Sequence, residues 1–404
     1  MKKPNQKASI YTLTLASSLV LVAVVLGLSY QVLQYRQTSR GNIRIDQASV
    51  YAELGIRHAL RYTIDDPLWR QHLTNGPWIA DIPVGDATYS VTGFDTRDGI
   101  FTNNDSDPVE LTCTATVGSV NRIVQLHARQ LPYEILRYAV VAGGDVFLSN
   151  HVRVTGNVTS NDDIDKSGAD TWIFGDAEAV DVIHETTNIS GTVSPASAPK
   201  ELPDPTVIFA YYQAATSIPY RSTMERILLS PTNNPYGSTN PDGLYKMVCD
   251  NQKVVIKECR IVGTLFLINP KDDSRIEISI NWQPARSDYP ALIIQGPRFG
   301  IITDRNLEEE NIGYVDLNLP GESGYGSVFT DFPNEINGLV YSTGKVILDK
   351  YSQIKGSLVA TGDIELKDYS RCIYDASMYD NPPVKFLKAC LYPIPGTWRE
   401  VLPP

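Results

Sequence analysis

Residues 336–353 read INGLVYSTGKVILDKYSQ, and residues 354–371 read IKGSLVATGDIELKDYSR. The two 18-residue segments align without a gap: Ile336 falls on Ile354, Gly338 on Gly356, Gly344 on Gly362, Val346 on Ile364, Leu348 on Leu366 and Tyr351 on Tyr369. The same frame recurs upstream, where GDVFLSNHVRVTGNV at 144–158 fits GKVILDKYSQIKGSL at 344–358 through Gly144, Gly156 and the apolar positions between them. Short pieces of it return around Gly191 (ISGTV, 189–193) and Gly263 (IVGTL, 261–265). Alternating apolar residues in short runs, repeated at this period, are what stacked parallel β-coils require, because each coil buries its inward side chains on the coils above and below. Glycine suits the bends between the runs, where the backbone takes angles that other residues adopt at a cost. The gaps from Gly191 to Gly263 and from Gly263 to Gly338 are 72 and 75 residues, against 35 from Gly156 to Gly191, and are read as holding insertions. Residues 203–250, rich in Pro, Tyr and Asn, and 281–335, containing Glu308, Glu309 and Glu310, are therefore read as projecting loops.

The repeat resembles the bactofilin-type parallel β-helix over roughly 139–194, 254–266 and 336–371. That resemblance implies a coil stack able to associate end to end without nucleotide. The domain expected from it is a right-handed parallel β-helix over 136–404, with the Pro-rich tail after Cys372 capping the last coil.

At the other end of the chain, residues 10–30 form an uncharged apolar stretch from Ile10 to Tyr30. At 1.5 Å per residue it spans a hydrocarbon core of roughly 30 Å. Lys2, Lys3 and Lys7 precede it without an acidic residue, which places a short leader (1–9) in the cytoplasm and the bulk of the chain outside. Arg36, Arg40 and Arg44 follow on the far side. A secretory signal is the competing reading, but its apolar core usually runs to about 7–15 residues. From residue 31 to 64 the helical pattern continues, with Ala48, Tyr51, Ala52, Ile56, Ala59 and Leu60 at steps of three and four, and Asp65-Asp66-Pro67 ends it. Residues 65–135 then offer alternating runs such as ATYSV (87–91) and VELTCTA (109–115), separated by polar turns at 95–99 and at Asn103, Asn104 and Asp105. These predict a small α+β head.

A basic leader, a membrane helix running on into an amphipathic helix and a small β-rich head together resemble type IV pilin-like and pseudopilin proteins, over about residues 1–135. The resemblance implies cleavage between Ala8 and Ser9. The family usually carries a glutamate at the fifth position of the mature chain, where counting from Ser9 gives Leu13 here.

The formal net charge of −11 and pI near 5.0 argue against a nucleic-acid partner, which needs a basic patch to replace counterions. Cysteine spacing suggests two local disulfides, Cys249 with Cys259 and Cys372 with Cys390, leaving Cys113 spare, and so an oxidising compartment. Five histidines never pair at i,i+4, and no HExxH, phosphate loop or strand-linked GxGxxG is present. Asp162, Asp163 and Asp165 sit at an expected coil corner and form a weak calcium candidate against the plainer reading of a solvated turn. Asp349, Lys350, Asp363 and Asp368 fall at outward positions where β-helix glycosidases carry carboxylates, although outward positions of any repeat are polar.

The chain is thus expected to be mainly β, with no catalytic residues and no cofactor. It reads as a single-pass inner-membrane protein, held in lipid by residues 10–30, whose β-helix meets other envelope or pilin-like proteins or a second copy of itself. The alternative is a carbohydrate-binding or polysaccharide-acting envelope protein.

Overall fold

The computed structural model describes residues 6–102, 105–168 and 170–401. Lys2 and Lys3 of the leader, Asn103 and Asn104 of the predicted turn, and Pro403 and Pro404 of the tail lie outside them. The chain divides into two compact units, Met1–Gln130 with Ala389–Pro404, and Leu131–Lys388. The second is inserted in the sequence of the first, so of the tail expected to cap the last coil, residues 372–388 stay with the solenoid unit and the part from Ala389 on belongs to the head unit.

The head unit begins with helix α1, Gln6–Asp65, which carries Ala8, Ser9 and Leu13. No proline interrupts it, and Pro67 follows its end. Within it lies a segment long and apolar enough to cross a membrane by length and composition. Further along, Ala48, Ala52, Ile56 and Ala59 are fully buried on one stripe. The stripe faces an antiparallel sheet of β1 (Gly76–Val84), β2 (Ala87–Asp95), β3 (Val109–Val117) and β4 (Val120–Pro132). Alternation along β2 and β3 sends Tyr89, Val91, Leu111, Cys113 and Ala115 inward. At Gly55 a side chain would collide with Cys113 and Tyr89, so this glycine allows the helix its close approach. The strand Leu387–Pro393 extends the sheet beside β4, and Arg399–Val401 also pairs with β4. Leu391 enters the head core and its N–H donates to Thr63 Oγ1. The Trp69 indole donates to the Ala389 carbonyl. The C-terminal segment is therefore an integral part of the head.

The inserted unit is a solenoid of parallel strands whose register confirms the 18-residue frame. Ile336 pairs with Ile354, Gly338 with Gly356, Val340 with Leu358, Val346 with Ile364 and Leu348 with Leu366. The upstream copy holds the same frame one coil further on, with Val146 on Ile364, Leu148 on Leu366 and Val154 on Cys372. The last full coil in the sequence thus lies directly on the first. Along one face the strands run Val193–Ser194, Ala177–Ala179, Asn157–Ser160, Tyr138–Ala142, Gln353–Ala360, Glu335–Ser342, Leu292–Gln295, Thr264–Ile268, Leu244–Val248 and Thr216–Ser217. The chain starts in mid-stack, winds out to residue 194, passes along the side to the opposite end and winds back. One continuous apolar interior results, from Val158 and Ile173 through Leu358 and Val340 to Leu265 and Met247.

Both predicted loops are shorter than expected. Residues 203–250 contain the helix Pro205–Tyr212 and the strands Thr216–Ser217, Thr223–Glu225, Leu228–Leu229 and Leu244–Val248. Residues 281–335 contain Leu292–Gln295, Arg298–Thr303 and the end of Arg275–Gln283, and the true excursion is 304–334. These coils escaped the repeat because other residues replace its markers. Trp282 occupies the position paired with Ile336, and Pro284 lies where a side chain on Gly338 would reach.

None of the cysteines is bridged. The segment from Cys249 to Cys259 is no hairpin: Leu244–Val248 and Val255–Val262 belong to different ladders of the parallel winding. Both thiols end in the interior, where Cys249 donates to the Met247 carbonyl and Cys259 to that of Lys257. Cys372 is also in the solenoid core, whereas Cys390 belongs to the head unit. The thiols therefore carry no information about the compartment.

Candidate interaction faces of the solenoid

Of the three faces, the one whose strand order is given above is covered. Its outward column Val141, Val359, Tyr341, Ile293 and Phe266 is apolar and lies under the helix Pro205–Tyr212 and the segment around Phe386. Asp204 caps that helix by accepting from the Thr206 N–H, with Pro205 in its first turn. Outward positions here are apolar because another part of the same unit buries them.

The second face runs through Thr223–Glu225, Arg298–Thr303, Lys345–Lys350, Ile364–Leu366, Val146–Ser149 and Ile164–Ser167. Its outward side chains form ion pairs, between neighbouring coils for Lys257–Glu225 and Lys345–Glu365 and within one coil for Arg275–Glu277 and Lys367–Glu365. Lys257 reaches Glu225 at 3.2 Å, Arg275 meets Glu277 at 2.6 Å, and Lys345 and Lys367 flank Glu365 at 3.5 and 2.6 Å. Burial opposes ionisation of Glu365, yet the hydrogen bond from Lys367 and the field of Lys345 hold its carboxyl below the usual value. A shallow groove of about 250 Å³ is lined here by Asp273, Arg275, Arg298, Asp349 and Lys367. The outward polar residues named from the sequence, Asp349, Lys350, Asp363 and Asp368, are scattered. Asp349 lines this groove, Asp363 lies 3.8 Å from Lys345, Lys350 pairs with Asp304, and Asp368 accepts from Asn150.

The predicted calcium trio is likewise divided. Asp162 and Asp163 gather with Asp145, whereas Asp165 faces His184 at 3.7 Å. Repulsion from Asp145 is the main cause that raises the Asp162 pKa. Asp145 and Asp163 are occupied in tying adjacent coils, accepting from the N–H groups of Asp163 and Val182.

The third face carries a feature the sequence reading missed. Tyr351, Tyr369 and His151 stack in a column, with ring centroids 5.2 and 4.6 Å apart and planes within 18° and 9°. Trp172 and Phe174 form a second stack at 5.6 Å. Tyr351 is 57% exposed and Tyr369 44%, so the column is a surface feature and not core. A groove of about 300 Å³ adjoins it, lined by Arg305, Asn334, Gln353 and Arg371 together with both tyrosines. The signal was present: residues 151, 351 and 369 occupy one position of the repeat frame, and all three carry aromatic rings.

The excursion 304–334 borders this groove and is built around a buried acid. Glu309 accepts from the N–H groups of Leu317 and Thr330 and from the Asn318 amide. Arg260 anchors the excursion to the coils through a two-pronged pair with Glu322, at 2.6 and 2.7 Å, and a bond to the Leu317 carbonyl. At its surface Tyr314, Tyr325 and Phe329 are exposed.

No protein-family model matches the chain, and no curated protein matches it. Among solved structures, the competence-associated pilin ComZ from Thermus thermophilus aligns at 12% identity with a TM-score of 0.25, over 89% of this chain and 98% of its own. An ice-binding protein from the Antarctic ascomycete Antarctomyces psychrotrophicus aligns at 10% identity and a TM-score of 0.27, over 61% of this chain and 98% of its own. The ice-binding protein LeIBP from an Arctic yeast aligns at 11% identity and a TM-score of 0.30, over 61% and 96%. These are a pilin and ice-binding proteins, and the bactofilin-type resemblance gains nothing from them.

Proposed function

We propose that this chain is a non-enzymatic, membrane-anchored envelope protein of pilin-like kind that displays a β-solenoid for protein interaction. The observation that carries the reading is α1: one helix supplies an apolar, lipid-length segment and then the buried seam Ala48, Ala52, Ile56 and Ala59 of the head. The solenoid is inserted between β4 and the last strands of that head. In this reading the amino terminus is cytoplasmic, the remainder lies outside, and the ion-paired and aromatic faces meet envelope proteins or a second copy of the chain. The test uses the full chain in cells. Single cysteines at Tyr351 and Phe329 should react with a membrane-impermeant maleimide in intact cells, and a photo-crosslinker at Lys355 should capture an envelope protein. Labelling only after lysis overturns the orientation, and absence of any crosslinked partner overturns the display role.

A second reading, carbohydrate binding, is favoured by the aromatic column beside a groove lined by Arg371, Gln353 and Asn334, since flat rings and planar donors suit sugar faces and hydroxyls. Retention on a panel of immobilised envelope polysaccharides, lost in Tyr351→Ala and without release of sugar, supports it. Equal retention of the variant removes it.

A further inference from the structure

We propose that the turn between β2 and β3 of the head binds a calcium ion through Asp95, Asp98 and Asp107. One carboxylate oxygen from each of the three lies within 4.8 Å of the others. Oxygen ligands sit about 2.3–2.6 Å from Ca²⁺, so two ligands of one ion are separated by at most about 5.2 Å. The trio meets that limit, and a group of oxygens without His or Cys suits a hard cation.

The second observation is independent of that spacing. Asp95 is only 7% exposed, and its Oδ2 is fully buried with no hydrogen-bond partner. Its other oxygen accepts from the N–H groups of Arg97 and Asp98, at 2.8 and 3.3 Å. A buried carboxylate oxygen left without a hydrogen-bond donor is costly, and a coordinated cation removes that cost. The nearby cations do not hydrogen-bond it, although the charge of Arg70 lies close enough to act on Asp95. Arg70 is spent on the carbonyls of Phe101, Asp105 and Asp107 and on the Gln130 side chain. Arg97 lies 3.1 Å from Asp107 Oδ1 from a side chain that is 69% exposed, free to swing away when an ion arrives. By holding three carbonyls, Arg70 fixes the backbone on one side of the turn, so the acids converge on a prebuilt frame. Calcium fits better than magnesium, whose ligands at about 2.0–2.1 Å require a tighter group.

The experiment takes the full chain in detergent, stripped with EDTA, and follows Ca²⁺ or Mg²⁺ addition by calorimetry and by the thermal midpoint. Saturable Ca²⁺ binding should appear, with a midpoint rise of several degrees and at least tenfold preference over Mg²⁺. Asp98→Asn, at an exposed acid, should weaken binding at least tenfold and remove the rise of the midpoint on Ca²⁺ addition. Asp95→Asn should abolish binding. Absence of binding up to about 5 mM Ca²⁺, above the 10⁻⁴–10⁻³ M range of weak extracellular sites, overturns the proposal. So does binding that survives in Asp98→Asn but disappears in Asp162→Asn, which would assign the ion to the solenoid corner.

Discussion

Gly356 shows what the stack asks of a single residue. Its φ is +143°, and a side chain there would run into the Gly338 carbonyl of the next coil. On its other side Gly356 pairs with Tyr374, which in turn crowds Gly156 at φ +124°. Gly356→Ala should therefore destabilise the solenoid by about 1–3 kcal/mol from backbone strain, before any shift between coils is counted. A denaturant midpoint lowered with unchanged slope is the expected result. Such positions were legible because only glycine fits them. The neighbouring corner was not, since Asn150, His151, Lys350, Asp368 and Tyr369 take positive φ there with ordinary side chains. Thiol chemistry also belongs to this scale. Burial pushes Cys113, Cys249 and Cys259 up to about 12 and raises Cys372 as well, so these remain protonated and unreactive at neutral pH. A thiol reagent at pH 8 should modify Cys390 alone in the native chain, and five groups in denaturant without reductant. Three or fewer in denaturant would restore the disulfides inferred from spacing.

Among the elements, the excursion 304–334 is tied to the coils by charge, through Arg260 and Glu322. The hydrogen bond from Arg260 is the leading cause that holds the Glu322 carboxyl below its ordinary value. A depressed folded-state value means that this stabilisation is complete above the unfolded value, about 4.3, and is lost as pH falls through the lower folded value. Exchange protection of amides in 305–330 should thus fall as the pH drops below the unfolded value of about 4.3, ahead of the coils. Arg260→Met should lower that protection at neutral pH and remove its acid dependence. The sequence marked 281–335 as an insertion through its prolines, glycines and acid run, yet could not tell the rungs within it from the excursion. A strand such as Leu292–Gln295 is a short apolar run whose partners, Thr264–Ile268 and Glu335–Ser342, are fixed only by the winding. The aromatic column was legible only in part: rings recur at 151, 351 and 369, but a repeat position alone carries no sign of whether it faces core or solvent.

At the level of the whole chain, the repeat was readable as architecture but not as order. Nothing local tells residue 140 that its neighbours are 158 and 358, and that pairing decides the topology. Because coils 336–353 and 354–371 are equivalent, removing all of 354–371 should bring Val340 onto Val140 and Cys372 into the place of Ile354. The shortened chain should melt cooperatively at a modestly lower temperature. Deletion of 354–362 alone breaks the period and should abolish the transition, as circular dichroism will show. Within the interior, Leu348→Ala should cost about 2–5 kcal/mol, the usual range for a buried leucine emptied in a close-packed core.

The junction of first and last coils has a mechanical meaning. Tension applied through residues 131 and 388 enters at the strands Tyr138–Ala142 and Arg371–Tyr374, which belong to the first and last coils and pair across their seam, Tyr138–Ala142 with Gln353–Ala360 and Arg371–Tyr374 with Arg153–Thr155. Load therefore shears one seam while the turns on either side hang outside the path of the force. A protein threaded this way resists being unspooled from its ends, and yields, when it does, by parting in the middle.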